Sequence, residues 1–194
     1  MPEFINVTKK FDGNAVVESF SLKLKKSSPT VIMGESGCGK TTLLRIAAGL
    51  DAADSGSFDT EGENIAYMFQ EDRLLPWKSA LDNIRAVLPN EHHSLAEKYI
   101  SLVGLDTETD GKKLPSELSG GMRQRVAFAR FLAYTEATNA TLLLLDEPFS
   151  ALDDATAERM INLLSIAAKD KYLLMVSHDE ADAIRLGAEV IRLQ

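Results

Sequence analysis

Apolar and polar positions change period several times along the chain, and each change marks an element. Residues 4–8 (Phe-Ile-Asn-Val-Thr) have strand character, and residues 16–24 alternate apolar and polar from Ser19 onward, the period of a strand with one covered face. Asp12, Gly13 and Asn14 punctuate the stretch between them, so a turn is placed over 9–14 and the pair predicts an antiparallel hairpin or small sheet. Residues 30–33 (Thr-Val-Ile-Met) are a short β-branched, apolar run that predicts a buried strand. Helical spacing follows over 42–48. Residues 49–62 are rich in Asp, Ala, Ser and Gly and predict a loop with room for one short strand, and 64–69 predicts a further strand.

The second half reads in the same way. Leu95, Ile100, Leu102 and Val103 fit an amphipathic helix that Gly104 stops. Residues 106–113 are polar and turn-like. Ser119 stands where an N-cap belongs, ahead of a helix predicted to run to about Tyr134. Residues 141–145 are a continuous apolar run ending in Asp146 and Glu147, the pattern of a central parallel strand buried on both faces. After a loop over 148–153 a helix is predicted to about Ala168. A strand over 172–176, a short helix over 180–185 and a last strand over 190–193 complete the chain.

Composition narrows the field. The 194 residues are 45% hydrophobic, enough for one compact unit with a sizeable core, so a single domain over 1–194 is expected. A net charge of −8 argues against a nucleic-acid partner, which calls for a basic surface. Cys38 is the only cysteine, which excludes an intrachain disulfide and points to a reducing compartment. The N-terminus lacks the basic start and apolar run of a signal peptide, and no stretch approaches the ~20 apolar residues of a membrane span. A soluble chain is expected, with any membrane role peripheral.

The chemistry starts at Gly34, Glu35, Ser36, Gly37, Cys38, Gly39, Lys40, Thr41 and Thr42, which fit the phosphate-loop pattern between a strand and a helix. Glycines let backbone N–H groups curl toward polyphosphate oxygens, and a helix N-terminus adds further unpaired donors. Lys40 is expected to reach the β- and γ-phosphates and Thr41 to place its hydroxyl on Mg²⁺. Within this loop Cys38 reads as a small side chain at a permissive position rather than as a reactive thiol. Asp146 lies where a parallel sheet presents ligands and is a candidate Mg²⁺ ligand; Glu147 is a candidate acceptor of a proton from attacking water. Gln70 ends a strand, where its amide can meet a metal or a water, or where it can be an ordinary surface residue. His178 ends a strand beside the acidic pair and is a candidate γ-phosphate sensor. Ser119, Gly120 and Gly121 form a second helix start able to meet an anion. Phe11 can stack on an adenine ring or serve as a core or rim aromatic. Arg123, Arg125 and Arg130 are consistent with plain helix-surface charges. The apolar stretch at Leu74, Leu75, Pro76 and Trp77 is unusual for a loop and fits either a docking patch or a local core.

With these motifs in place, the chain resembles the ATP-binding subunits of ABC transporters. Residues 34–42 look like Walker A, Gln70 like the Q-loop glutamine, 118–124 like the signature motif, 142–147 like Walker B with its catalytic acid, 150–153 like the D-loop and His178 like the switch histidine. Phe11 falls where the family has an adenine-stacking aromatic. The order matches the family, and Leu-Ser-Gly-Gly-x-x-Gln followed by Asp-Glu-Pro is a highly specific combination. Residues 69–77 are similar to importers of the nitrate, sulfonate and taurine group, and to relatives that import pyrimidine precursors.

The resemblance implies an α/β fold: a P-loop NTPase core with a mostly parallel sheet, a small N-terminal antiparallel β subdomain and a helical subdomain over about 71–136. It implies ATP and Mg²⁺, with Thr41, Gln70 and Asp146 on the metal and Glu147, His178 and Gln70 serving hydrolysis. It also implies a homodimer in which ATP bridges Walker A of one copy and Ser119, Gly120 and Gly121 of the other. The dimer would drive a membrane permease from the cytoplasmic face and act indirectly with an extracytoplasmic solute-binding protein. Two other classes compete. An ABC ATPase of translation or DNA repair would carry paired nucleotide domains or long coiled-coil insertions, and a P-loop small-molecule kinase would need an acceptor pocket and would leave residues 118–124 unexplained.

Overall fold

The computed structural model describes residues 1–193. They cluster into two compact units, one of residues 1–67, 141–147 and 168–193, the other of 68–140 and 148–167. The helical stretch expected over about 71–136 lies within the second unit, which also takes in 148–167.

The first unit holds two sheets. Strand β1 (Glu3–Phe11) pairs antiparallel with β2 (Asn14–Lys23), and their connection is tighter than the sequence suggested. The strands run up to Phe11 and Asn14, which face each other, and only Asp12 and Gly13 remain to make the turn. Both have positive φ (51° and 83°), the two-residue hairpin geometry that matches strand twist. Strand β4 (Ser55–Asp59) adds to the free side of β1, giving the order β2-β1-β4. Its anchor is Phe58, whose ring lies 4.5 Å from that of Phe4, itself 5.3 Å from Phe20.

The five-stranded sheet has the order β5-β6-β7-β3-β8, with β3 (Thr30–Met33), β5 (Ile65–Met68), β6 (Leu142–Asp146), β7 (Tyr172–Val176) and β8 (Glu189–Arg192). Pairings β6–β7, β7–β3 and β3–β8 are all parallel. Every residue of β3, β6 and β7 is buried, which is why these strands read as continuous apolar runs rather than as alternation. Helix α1 (Lys40–Ala47) supplies Leu43, Leu44 and Ile46 to the same core as Ile32, Leu142, Leu144, Leu174 and Val176. The strand order places the loop after β3 beside the end of β7, whose other neighbour is β6.

The second unit is helical. Helix α2 (Ala80–Arg85), capped by the Ser79 hydroxyl, and α3 (Leu95–Leu102) both pack on α4 (Gly120–Ala137). Helix α5 (Asp154–Ala167) packs on α4 as well. Phe128 of α4 has its ring 5.8 Å from Phe149 and 6.3 Å from Phe131, and all three are buried. The last helix, α6 (Glu180–Leu186), belongs to the first unit and follows β7.

Candidate functional site

The loop between β3 and α1 is shaped by what its glycines exclude. At Gly39, φ is +93°, and a Cβ there would meet the Val16 carbonyl oxygen and Val17 Cγ2 at 2.7 Å each. Gly34, at φ +154°, would bring a Cβ within 2.7 Å of both Cys38 Sγ and the Leu193 carbonyl oxygen. Neither position accepts a side chain. Gly39 caps α1 in the left-handed conformation with no side-chain hydrogen bond, so the amides of the first turn are left to another acceptor. Lys40 is only 7% exposed, and its Nζ donates to the carbonyls of Gly34 and Glu35 at 2.8 Å each. Its charge is thereby held over the loop's own backbone. Cys38 is half-buried, with Sγ 4.0 Å from Lys40 Nζ.

Next along α1, the Thr41 hydroxyl donates to Asp146 Oδ1 at 3.2 Å. Asp146 ends β6 and is 2% exposed. Burial pushes its carboxyl above the ordinary carboxylate range, and the Thr41 hydrogen bond opposes that rise. A hydroxyl and a carboxylate side by side are hard oxygen donors suited to Mg²⁺, which takes few protein ligands and completes its shell with water and substrate phosphate. Among the described residues no group of three or more His, Cys, Asp or Glu could hold a metal, so the donor set fits a phosphate-linked Mg²⁺ rather than a fully protein-bound ion.

Glu147 leaves the sheet abruptly. Its φ is +45°, an uncommon conformation for a residue with a Cβ that costs about 1–2 kcal/mol, and its N–H is held by the Val176 carbonyl at 3.0 Å. Strained backbone at the end of a central strand is a recurrent feature of functional positions. The turn brings Glu147 Oε2 to 3.5 Å from His178 Nδ1, and the His178 side chain is 63% exposed. The loop carrying His178 is braced from behind in a way the sequence reading missed. Ser177 Oγ donates to Asp182 Oδ2 at 2.7 Å and accepts from the Asp179 N–H at 3.0 Å, while Asp179 caps α6. Burial raises the Asp182 carboxyl, again against the Ser177 hydrogen bond. The signal was present as a serine at a strand end followed by aspartates two and five residues on.

The first unit therefore brings together the phosphate loop, Thr41, Asp146, Glu147 and His178. Phe11 is also in this unit, at the hairpin end; its ring is 49% exposed with Lys9 Nζ 5.4 Å from its centroid, so it is a rim aromatic and not a core one.

In the second unit Ser119 caps α4 as expected, accepting from the Met122 N–H at 3.2 Å, and Gly120 and Gly121 form the first turn. Gln124, one turn on, is buried and donates to the Pro148 carbonyl at 2.9 Å. Gln70, two residues beyond β5, also belongs to this unit. Trp77 is 72% exposed, which answers the docking-or-core alternative against a core. The arginines of α4 are not plain surface charges: Arg123 bonds Asp72 and the Leu118 carbonyl, Arg125 the Gly104 carbonyl, and Arg130 the carbonyls of Asp72 and Arg73.

Comparison with known proteins agrees with this geometry. Residues 17–150 match the family model described as ABC transporter. The chain is 42% identical to the aliphatic sulfonates import ATP-binding protein SsuB 2 of Agrobacterium fabrum, covering 99% of this chain and 75% of that one. It is 40% identical to an aliphatic sulfonates import ATP-binding protein SsuB of Cupriavidus necator, covering 97% of this chain but 64% of that one, so it spans under two thirds of that relative. Among solved structures it is similar to the dimeric ATP-binding cassette MJ0796 bound to ADP and Pi, at TM-score 0.85 and 29% identity, covering 100% of this chain and 94% of that one. A phosphate loop, a strand ending in Asp-Glu and a capped Ser-Gly-Gly helix start, set in the α/β fold of such cassettes and matched over most of the sequence, have one common source: the chain belongs to the ABC transporter family.

Proposed function

We propose that this chain binds and hydrolyses ATP to energise a membrane ABC importer of a small solute. The observation that carries the reading is the Thr41–Asp146 contact beneath the phosphate loop, with Glu147 next to Asp146 and facing His178. ATP lies with its phosphates against the loop amides of residues 34–42 and the free first turn of α1, and Phe11 supplies the aromatic surface for the adenine. Lys40 exchanges its bonds to the Gly34 and Glu35 carbonyls for the β- and γ-phosphate oxygens. Thr41 and Asp146 would hold Mg²⁺, which would supply charge neutralisation on the phosphates. Glu147 accepts a proton as the water oxygen attacks the γ-phosphorus and the bond to ADP breaks; His178 orients this carboxylate and senses the γ-phosphate.

Ser119, Gly120 and Gly121 present a second set of amides that the chain's own phosphate loop does not need. Two copies arranged head to tail would place them on each other's ATP, and the dimeric cassette among the structural relatives supports a dimer. No helix among the described residues is long and apolar enough to cross a membrane. The import names of the relatives support a dimer on the cytoplasmic face of the inner or plasma membrane, which would dock to a permease through Leu74, Pro76 and Trp77. A solute-binding protein would act on the other side, and no nucleic acid is involved. The names of the relatives support an aliphatic sulfonate or similar small anion as cargo. The test is phosphate release from ATP with and without Mg²⁺ by the purified chain. Magnesium-dependent release that Lys40→Ala abolishes is expected; release that survives in a folded Lys40→Ala protein would overturn the assignment.

A further inference from the structure

The segment after Gln70 is held to α4 by more bonds than its exposure suggests. Arg123 lies one turn inside α4 and uses two edges of its guanidinium. Nη1 donates to the Leu118 carbonyl at 3.0 Å, immediately before the Ser119 cap, and Nε donates to Asp72 Oδ2 at 3.0 Å. The other Asp72 carboxylate oxygen accepts from the Leu74 N–H at 3.2 Å. Two turns further along, Arg130 donates to the carbonyls of Asp72 and Arg73 at 2.6 and 3.0 Å. Burial lowers the Arg130 pKa, so this cation has left water to bind two backbone oxygens. Arg73 itself adopts φ +45° and lies 3.8 Å over the Phe69 ring. A segment in an uncommon conformation is thus bonded to α4 at 72 and 73, and the Asp72 carboxylate carries that anchor on to the Leu74 N–H.

We propose that Arg123 is a positioning residue: its fork ties the cap of α4 to the segment after Gln70, so that the turn at Ser119, Gly120 and Gly121 and the surface at Leu74, Pro76 and Trp77 move as one piece. The functional meaning rests on the nucleotide-sandwich reading above. The tie itself does not. A point charge cannot replace it, because a lysine ammonium lacks the planar fork that reaches a carbonyl and a carboxylate at fixed angles. The consequence is that an anion drawn onto the α4 start displaces the exposed Trp77 surface, and a load on that surface shifts the α4 start.

Two measurements separate the tie from its use. Amide hydrogen exchange over 73–77, without nucleotide, should quicken about 10-fold in both Arg123→Lys and Asp72→Asn, because each removes a charge-assisted bond that anchors the segment. Unchanged exchange in both variants overturns the tie. The second measurement uses Trp77, the only tryptophan of the chain, as reporter. In a Glu147→Gln protein, adding ATP and Mg²⁺ should shift Trp77 emission as the dimer forms, and adding Arg123→Lys should cut that shift at least in half. An undiminished shift in the double variant overturns the coupling. If Glu147→Gln forms no ATP-dependent dimer, the sandwich reading fails instead, and the exchange result still decides the tie.

Discussion

Replacing Thr41 by alanine isolates the contact on which the site is built. The Thr41 hydroxyl is 3.2 Å from Asp146 Oδ1, and Asp146 is 2% exposed, so little water can take the hydroxyl's place. Leaving a buried acceptor without its donor costs about 1–3 kcal/mol. For a chain of this size each kcal/mol lowers Tm by roughly 2–4 °C, so Thr41→Ala should melt roughly 2–12 °C below wild type near neutral pH without nucleotide or metal. Thr41→Ser keeps the donor on an exposed side chain and should stay within about 0.5 kcal/mol of wild type. The pH dependence has a definite sign. Burial raises the folded Asp146 carboxyl above its unfolded value, so the carboxyl binds its proton more tightly in the folded chain, and its charge opposes folding at pH above both values. The Thr41 bond offsets part of that. Its loss is therefore fully felt near neutrality and fades as pH falls through the raised titration of Asp146, where the protonated group no longer needs the donor. Melting curves of wild type, Thr41→Ala and Thr41→Ser across that window, in chelator, provide the assay. A Thr41→Ala deficit that is absent, or equal at both ends of the window, would refute the argument.

Other outcomes follow from the same geometry. Lys40→Ala removes the cation bonded to the Gly34 and Glu35 carbonyls and should abolish ATP hydrolysis in a folded protein, as measured by phosphate release. Trp77→Ala deletes an exposed ring and should leave melting within about 0.5 kcal/mol of wild type while weakening co-purification with the permease; equal co-purification would count against docking. Ser119→Arg puts a bulky cation at the α4 cap. Placed in a Glu147→Gln background, it should leave ATP binding to the monomer intact and prevent ATP-dependent dimers in sedimentation, and lost monomer binding would contradict the two-copy site.

The parts legible in the sequence were those in which a local rule and the tertiary environment agree. Residues 142–145 and 172–176 are apolar throughout because both faces are covered, and Ser119 and the Ser-Gly-Gly start announced α4. Illegible parts depended on partners distant in the chain. Strand β4, Ser-Gly-Ser-Phe-Asp, was legible only as room for one short strand within 49–62, because it has no alternation to place it and is a strand through the edge that β1 offers and the Phe4 ring it packs on. Helix α2 is only six residues long, too short for periodicity to show, and it is fixed by the Ser79 cap and by Asn83, which bonds the backbone of Leu75 and Lys78. Phe11 stayed open because its role turns on exposure. Arg123 and Arg130 read as surface charges because their acceptors are a carboxylate and carbonyls some fifty positions away, at Asp72 and Arg73. The strained φ of Glu147 has no sequence signature in a glutamate, yet it is what turns the carboxylate toward His178.

The central claim is that Glu147 is the base of an ATP-hydrolysing site. Glutamine at this position keeps the shape and the Val176 backbone bond but cannot take a proton from water. The decisive measurement is phosphate release from ATP and Mg²⁺ by Glu147→Gln against wild type, at saturating nucleotide. The account predicts a fall of about 10²–10⁴-fold, the usual contribution of a general base, with nucleotide still bound. A variant that binds ATP and releases phosphate at the wild-type rate would contradict it.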